Sequence, residues 1–119
     1  MDHHPVIAHL SPLPARDPVA ALAVAGGDAD LAAELFAALL VGLPDELAAL
    51  RAAMTAADWD GLAEHAHQVR GATRYCGVPA LDEATESLER AARSGDPQRI
   101  ALSFISLEEE AERVRRLGG

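Results

Sequence analysis

Apolar residues recur three or four positions apart along most of this chain, the period of a helix with one buried face. Leu31, Leu35, Leu39, Leu43, Leu47, Leu50 and Met54 form the longest stripe, and Phe36 and Leu40 widen it. The stripe keeps its phase through Pro44, which predicts one long helix from Asp28 or Asp30, kinked at the proline. Ahead of it, Asp17-Pro18 offers a cap and a first-turn proline, and Gly26-Gly27 a stop, for a short first helix. Asp58 or Asp60 punctuates the next turn. A third helix is expected from about Trp59 to Cys76, closed by Gly77. Pro79 opens a fourth, with Leu81, Thr85, Leu88 and Ala92 on one face. Gly95-Asp96-Pro97 ends that helix and starts a fifth, which carries Ile100, Phe104, Leu107, Ala111 and Val114. In the fifth, Glu108-Glu109-Glu110 precede Arg113, Arg115 and Arg116, the order that suits the helix dipole.

Four substantial amphipathic helices with short connections predict an all-α fold, an antiparallel four-helix bundle with a short N-terminal helix capping one end. Alternation of the β kind never persists. Residues 1–16 hold Pro5, Pro12 and Pro14 without a helical period and read as an extended leader or linker. Residues 17–117 are then the folded domain, and the length of 119 suits a single one.

Composition narrows the partners. Half of the residues are hydrophobic but only 3% aromatic, so Leu, Ala, Val and Ile must build the core. A formal net charge of −9 argues against nucleic acid, which is bound by neutralising phosphates, and against direct contact with an anionic membrane. A protein partner met through a local patch fits better. Cys76 is the sole cysteine, so no internal disulfide forms. The first residues lack a signal-peptide pattern, and the apolar stretch Leu35 to Leu43 is about half of what spans a bilayer, so a cytoplasmic location is expected. His3, His4 and His9 have no carboxylate or cysteine constellation around them and read as solvated tail residues, not a metal site.

Chemistry concentrates in one segment, Glu64 to Gly77. At about 100° per residue, Leu62, Ala66, Val69, Thr73 and Cys76 cluster as the buried stripe. His67 then lies about 140° from that stripe, with Arg70 and Arg74 about 80° and 120° from it on the same side. Gly71 is close to opposite the core, and His65 sits on the other flank. The exposed face thus presents an imidazole, two guanidinium groups and a position without a side chain. An imidazole nitrogen can accept a phosphoryl group, and the arginines can balance its oxygens. A glycine in a helix interior costs about 0.5–1 kcal/mol relative to alanine, and here it would let a phosphoryl donor approach closely. Hydrolytic chemistry lacks support, because no serine nucleophile or oxyanion site accompanies His67. Cys76 reads as a small core residue, and Trp59 and Tyr75 as bundle-end packing. His65 and His67, two apart, diverge around the helix and form no metal pair.

At these residues the chain resembles the histidine phosphotransfer family. His67-Gln68-Val69-Arg70-Gly71, with Gly77 following, matches the signature His-x-x-Lys/Arg-Gly. The longer string from His67 to Leu81, and the Leu-Leu-x-x-Leu-Pro pattern at Leu39–Pro44, are similar to the C-terminal phosphotransfer domains of GacS/BarA-type hybrid sensor kinases. The resemblance covers roughly residues 17–117. It implies a phosphorelay in which His67 accepts a phosphoryl group from a receiver-domain aspartate and passes it to a response-regulator receiver. It implies Arg70 in the place often held by lysine, Gly71 as the close-approach position and a supporting part for Arg74. The domain is then a phosphocarrier, not an ATP-dependent kinase. It needs no cofactor of its own, since Mg²⁺ belongs to the partner receiver. In isolation it is expected to be a monomer; in a longer parent, the cytoplasmic tail of an inner-membrane sensor kinase. The competing reading is a helical docking module in which His67 takes no phosphoryl group.

Overall fold

The computed structural model describes residues 11–118; His3, His4 and His9 lie outside them. Five helices follow in order: α1 Pro18–Val24, α2 Ala29–Thr55, α3 Trp59–Thr73, α4 Pro79–Ser94 and α5 Pro97–Gly118. No strand occurs among the described residues. Contacts α2–α3, α3–α4, α4–α5 and α5–α2 close the long helices into a ring, the expected four-helix bundle, and α1 packs on α2.

The aspartates cap as their positions suggest. Asp17, Asp28 and Asp58 each accept a backbone N–H three residues on, from Ala20, Leu31 and Gly61. α2 runs unbroken through Pro44, which sits on its exposed side. From its stripe, Leu39, Leu43 and Leu50 are buried, while Leu31 stays exposed beyond the end of the bundle core. Every residue expected on the inner faces of α4 and α5 is buried, as are Leu62, Ala66, Val69, Thr73 and Cys76. Thr85 is accommodated because its hydroxyl donates back to the Leu81 carbonyl at 2.7 Å.

α3 ends three residues earlier than its apolar period suggested. Arg74 is its C-cap, and Tyr75 and Cys76 close onto Ala72 and Thr73 through tighter i→i−3 hydrogen bonds. The cause is Gly77, which takes a left-handed φ of 64° and turns the chain into α4. Trp59 packs against the core as expected, but Tyr75, released by the early end of α3, is 53% exposed.

Residues 11–16 cross the end of the bundle. The buried Glu110 carboxylate accepts the Ser11 N–H at 2.6 Å and is paired with Arg113 at 2.7 Å. Arg113 in turn donates to the Ser11 and Leu13 carbonyls. Arg16 lies over the Phe36 ring at 4.0 Å, and the Asp17 N–H donates to the Gly77 carbonyl at 2.8 Å. No helix among the described residues is long and apolar enough to cross a membrane.

Candidate functional site

His67 sits midway along α3, opposite the buried stripe, with its side chain 62% exposed. α3 and α4 form an antiparallel hairpin about Gly77, which brings Glu89 of α4 level with it. His67 Nδ1 is 3.2 Å from one Glu89 carboxylate oxygen and 3.4 Å from the other. A carboxylate can only accept, so the contact favours the tautomer with the proton on Nδ1. That leaves the lone pair on Nε2, which has no protein partner among the described residues. Glu89 was absent from the expected site. It is 22 positions away on another helix, and nothing in its neighbourhood distinguishes it from Glu86 or Glu83.

The Glu89 side chain is only 14% exposed and also accepts from Arg93 at 3.0 Å. Burial pushes its carboxyl up, but the hydrogen bonds from Arg93 and His67, together with their charges, outweigh this and hold it below its ordinary value of 4.5. A depressed carboxyl stabilises the fold above its unfolded value, and this contribution is lost as the pH falls through the lowered one. An acid titration followed by carboxyl-carbon NMR should therefore give Glu89 a midpoint below its ordinary 4.5. Its α3–α4 tie should persist until that midpoint is crossed, and a midpoint at or above 4.5 would contradict the arrangement.

The two arginines of the segment are placed differently from each other. Arg74, at the C-cap, is exposed as expected. Arg70, on the flank of the helix, faces α4 and is only 20% exposed; its Nε lies 3.6 Å from Asp82 Oδ1. That separation is an ion pair beyond hydrogen-bond reach, so the buried Nε–H is left without a hydrogen bond. The same Asp82 oxygen accepts the Thr73 hydroxyl at 2.6 Å. Asp82 too was missed, for the same reason as Glu89.

Gly71 is exposed, and a Cβ built on it would meet nothing within 4 Å. Nothing among the described residues therefore asks for glycine there. Gly42, in the interior of α2, is equally open. Both line one apolar groove of about 340 Å³ between α2 and α3, with Leu35, Leu39, Leu43 and Tyr75. His65 stands on the opposite flank of α3 from Arg70, its Nε2 2.7 Å from Glu46 on the groove's rim. Cys76 is buried, and its one S–H is shared between the Leu35 and Ala72 carbonyls, 3.4 and 3.3 Å away. Burial pushes the thiol's pKa up, against a smaller opposing pull from Arg16, which keeps it protonated and unreactive. Among the described residues no group of three or more His, Cys, Asp or Glu side chains could hold a metal.

The site is thus a helix-borne imidazole with one nitrogen tied to a carboxylate and the other open, beside a bare glycine and an apolar groove. Comparison with known proteins gives the chain its relatives. The chain is 41% identical over 96 residues to the sensor histidine kinase GacS of Pseudomonas protegens, covering 81% of this chain and 10% of that protein. It is 38% identical over 109 residues to the sensor protein GacS of Pseudomonas syringae pv. syringae, covering 87% of this chain and 12% of that protein. The chain therefore spans about a tenth of the length of these relatives. No solved structure matches it significantly. The profile of the Hpt domain matches residues 34–117, most of the bundle, and the chain belongs to the Hpt domain family.

Proposed function

We propose that this domain is a phosphocarrier in a multistep phosphorelay, with His67 as the phosphoacceptor. The observation that carries the reading is the His67–Glu89 contact, which fixes the imidazole and leaves Nε2 free on an exposed helix face. Membership of the Hpt family supports it, as does the similarity to the sensor kinases.

In this reading Nε2 attacks the phosphorus of a receiver's aspartyl phosphate in line. The N–P bond forms as the Asp O–P bond breaks, and the receiver's carboxylate leaves. Glu89 stabilises the positive charge that develops on the imidazole by holding the Nδ1 proton. The reverse sequence delivers the phosphoryl group to a second receiver, that of a response regulator. The receiver brings the divalent metal, expected to be Mg²⁺, and the acidic pocket; this domain supplies the positioned nucleophile and consumes no ATP. The donor is the receiver domain of a hybrid sensor kinase, consistent with a cytoplasmic tail, and each receiver seats on the Gly71 face and the apolar α2–α3 groove. Arg70 and Arg74 supply positive charge near the transferring group.

Mixing the domain with a receiver carrying labelled aspartyl phosphate and Mg²⁺ should place acid-labile, alkali-stable label on this chain. Adding a second receiver should then remove it. If a donor that labels another Hpt domain leaves this one unlabelled, the relay reading fails and the helical docking module replaces it.

Gly71 gives a second test. Replacing it with Ala should stabilise the free domain by about 0.5–1 kcal/mol, because the Cβ meets open space and glycine is a poor helix former. The same methyl group should slow transfer from the receiver by about tenfold if the partner backbone approaches this position. Urea unfolding and transfer kinetics on one preparation check both. A stabilised variant that transfers at the wild-type rate would remove Gly71 from the interface.

A further inference from the structure

We propose that Asp82 is a positioning residue for Arg70: it serves as the arginine's resting counter-ion and gives it up to a phosphoryl group on His67. The proposal rests on the relay reading and names a control over that same site.

The side chain of a helical residue leans by default toward the preceding turn, which for Arg70 means toward His67. Here the guanidinium is instead drawn to α4, where its Nε stands 3.6 Å from Asp82 Oδ1. The hold is incomplete, because Nε is buried and makes no hydrogen bond. Asp82, by contrast, is supported without the arginine. Its oxygen accepts the Thr73 hydroxyl at 2.6 Å, and it lies in the first turn of α4, where the helix dipole favours a negative charge. Arg70 can therefore leave without stranding a carboxylate, and it leaves a place where one of its donors is unsatisfied.

The other nearby cations on α4 are held by acids of their own helix, Arg93 by Glu89 and Arg90 by Glu86. Arg74 is exposed at the C-cap, a further turn away from His67. Arg70, one turn from His67 on the same helix and facing Asp82 across the hairpin, is thus the cation placed to pass between that carboxylate and a phosphoryl group on His67. The physical use follows from the carrier's task. Binding that holds the phosphoryl group equally before and during transfer deepens the resting state without lowering the barrier. A permanently free guanidinium beside His67 would do that. A carboxylate that competes for the guanidinium keeps the phosphohistidine from becoming a trap.

The test uses the domain alone, phosphorylated at His67 with phosphoramidate; the P–N bond to ammonia breaks as the bond to the imidazole forms. The last ionisation of the phosphohistidine is then titrated by ³¹P NMR. A guanidinium at the phosphoryl group favours the dianion and lowers the midpoint. Arg70→Ala should therefore raise the midpoint. Asp82→Asn should lower it by about half a pH unit, a roughly threefold change in proton affinity, the scale of a partly exposed ion pair. In an Arg70→Ala background, Asp82→Asn should shift it far less. Asp82→Ser serves if the asparagine variant does not fold, with the same expected direction. An equal shift in both backgrounds would reduce Asp82 to a distant charge and overturn the proposal, as would no shift in either. Phosphoramidate needs no receiver, so a domain that titrates as predicted yet neither accepts from nor donates to receivers would sink the relay and leave the Arg70–Asp82 exchange standing.

Discussion

His67→Gln is expected to abolish labelling from a phosphorylated receiver, a loss of more than about 10³-fold in initial rate, because the amide side chain offers no comparable nucleophile. Folding should be almost unchanged. The side chain is 62% exposed, and its one partner among the described residues, Glu89, keeps its hydrogen bonds from Arg93. Unlabelled protein therefore cannot be blamed on unfolding, provided helical circular dichroism and urea midpoint match the wild type. His65→Gln is the internal control. His65 lies on the opposite flank of α3 from Arg70, with its Nε2 on Glu46, so its replacement should leave labelling within about twofold of wild type. Label surviving on His67→Gln but lost on His65→Gln would transfer the acceptor role to the other imidazole. Loss in both variants would instead point to a shared effect on receiver docking.

The largest effect on stability should come from Gly77. Its φ of 64° disfavours any side chain, and a Cβ there would lie 2.6 Å from the Ala21 Cβ and 2.7 Å from the Asp17 carbonyl oxygen. The second contact is with backbone, which cannot rotate away. Gly77→Ala should therefore cost about 1 kcal/mol for the left-handed conformation and about 1–3 kcal/mol for displacing α1. Gly95 separates the two terms. It has a similar φ of 72°, but a methyl group added there would meet nothing within 4 Å, so Gly95→Ala should cost the conformational part alone. Thermal and urea unfolding of both variants make the comparison. Equal losses would mean that α1 moves aside freely and contributes little to holding the α3–α4 turn.

Much of this architecture is legible in the chain alone. Five helices, their caps at Asp17, Asp28 and Asp58 and their stops at Gly26-Gly27, Gly77 and Gly95 follow from local rules. Each depends on a few neighbouring residues: a side chain that reaches its own helix's first amides, a glycine that adopts positive φ, an apolar residue every turn. The direction in which His67 and Gly71 face follows too, since the angle between two side chains on one helix depends on their spacing alone. The overestimated length of α3 shows the limit of that rule. Cys76 continues the apolar period and is buried, yet it belongs to the turn, because Gly77 reverses the chain and both conformations put the thiol inside.

Everything periodic and local is therefore written in the order of residues: the helices, their buried faces and the exposed imidazole. What stands across from that face is a matter of tertiary packing. The hairpin about Gly77 sets α4 level with α3, and from this come Glu89 beside His67, and Asp82 beside both Thr73 and Arg70. It turned Arg70 from a free guanidinium into a counter-ion, and Tyr75 from end packing into the wall of a groove. The physical reason is that helical periodicity fixes angles about one axis, whereas contacts between helices depend on the offset and rotation of two axes. Those are set by a single turn and by the packing of the whole core.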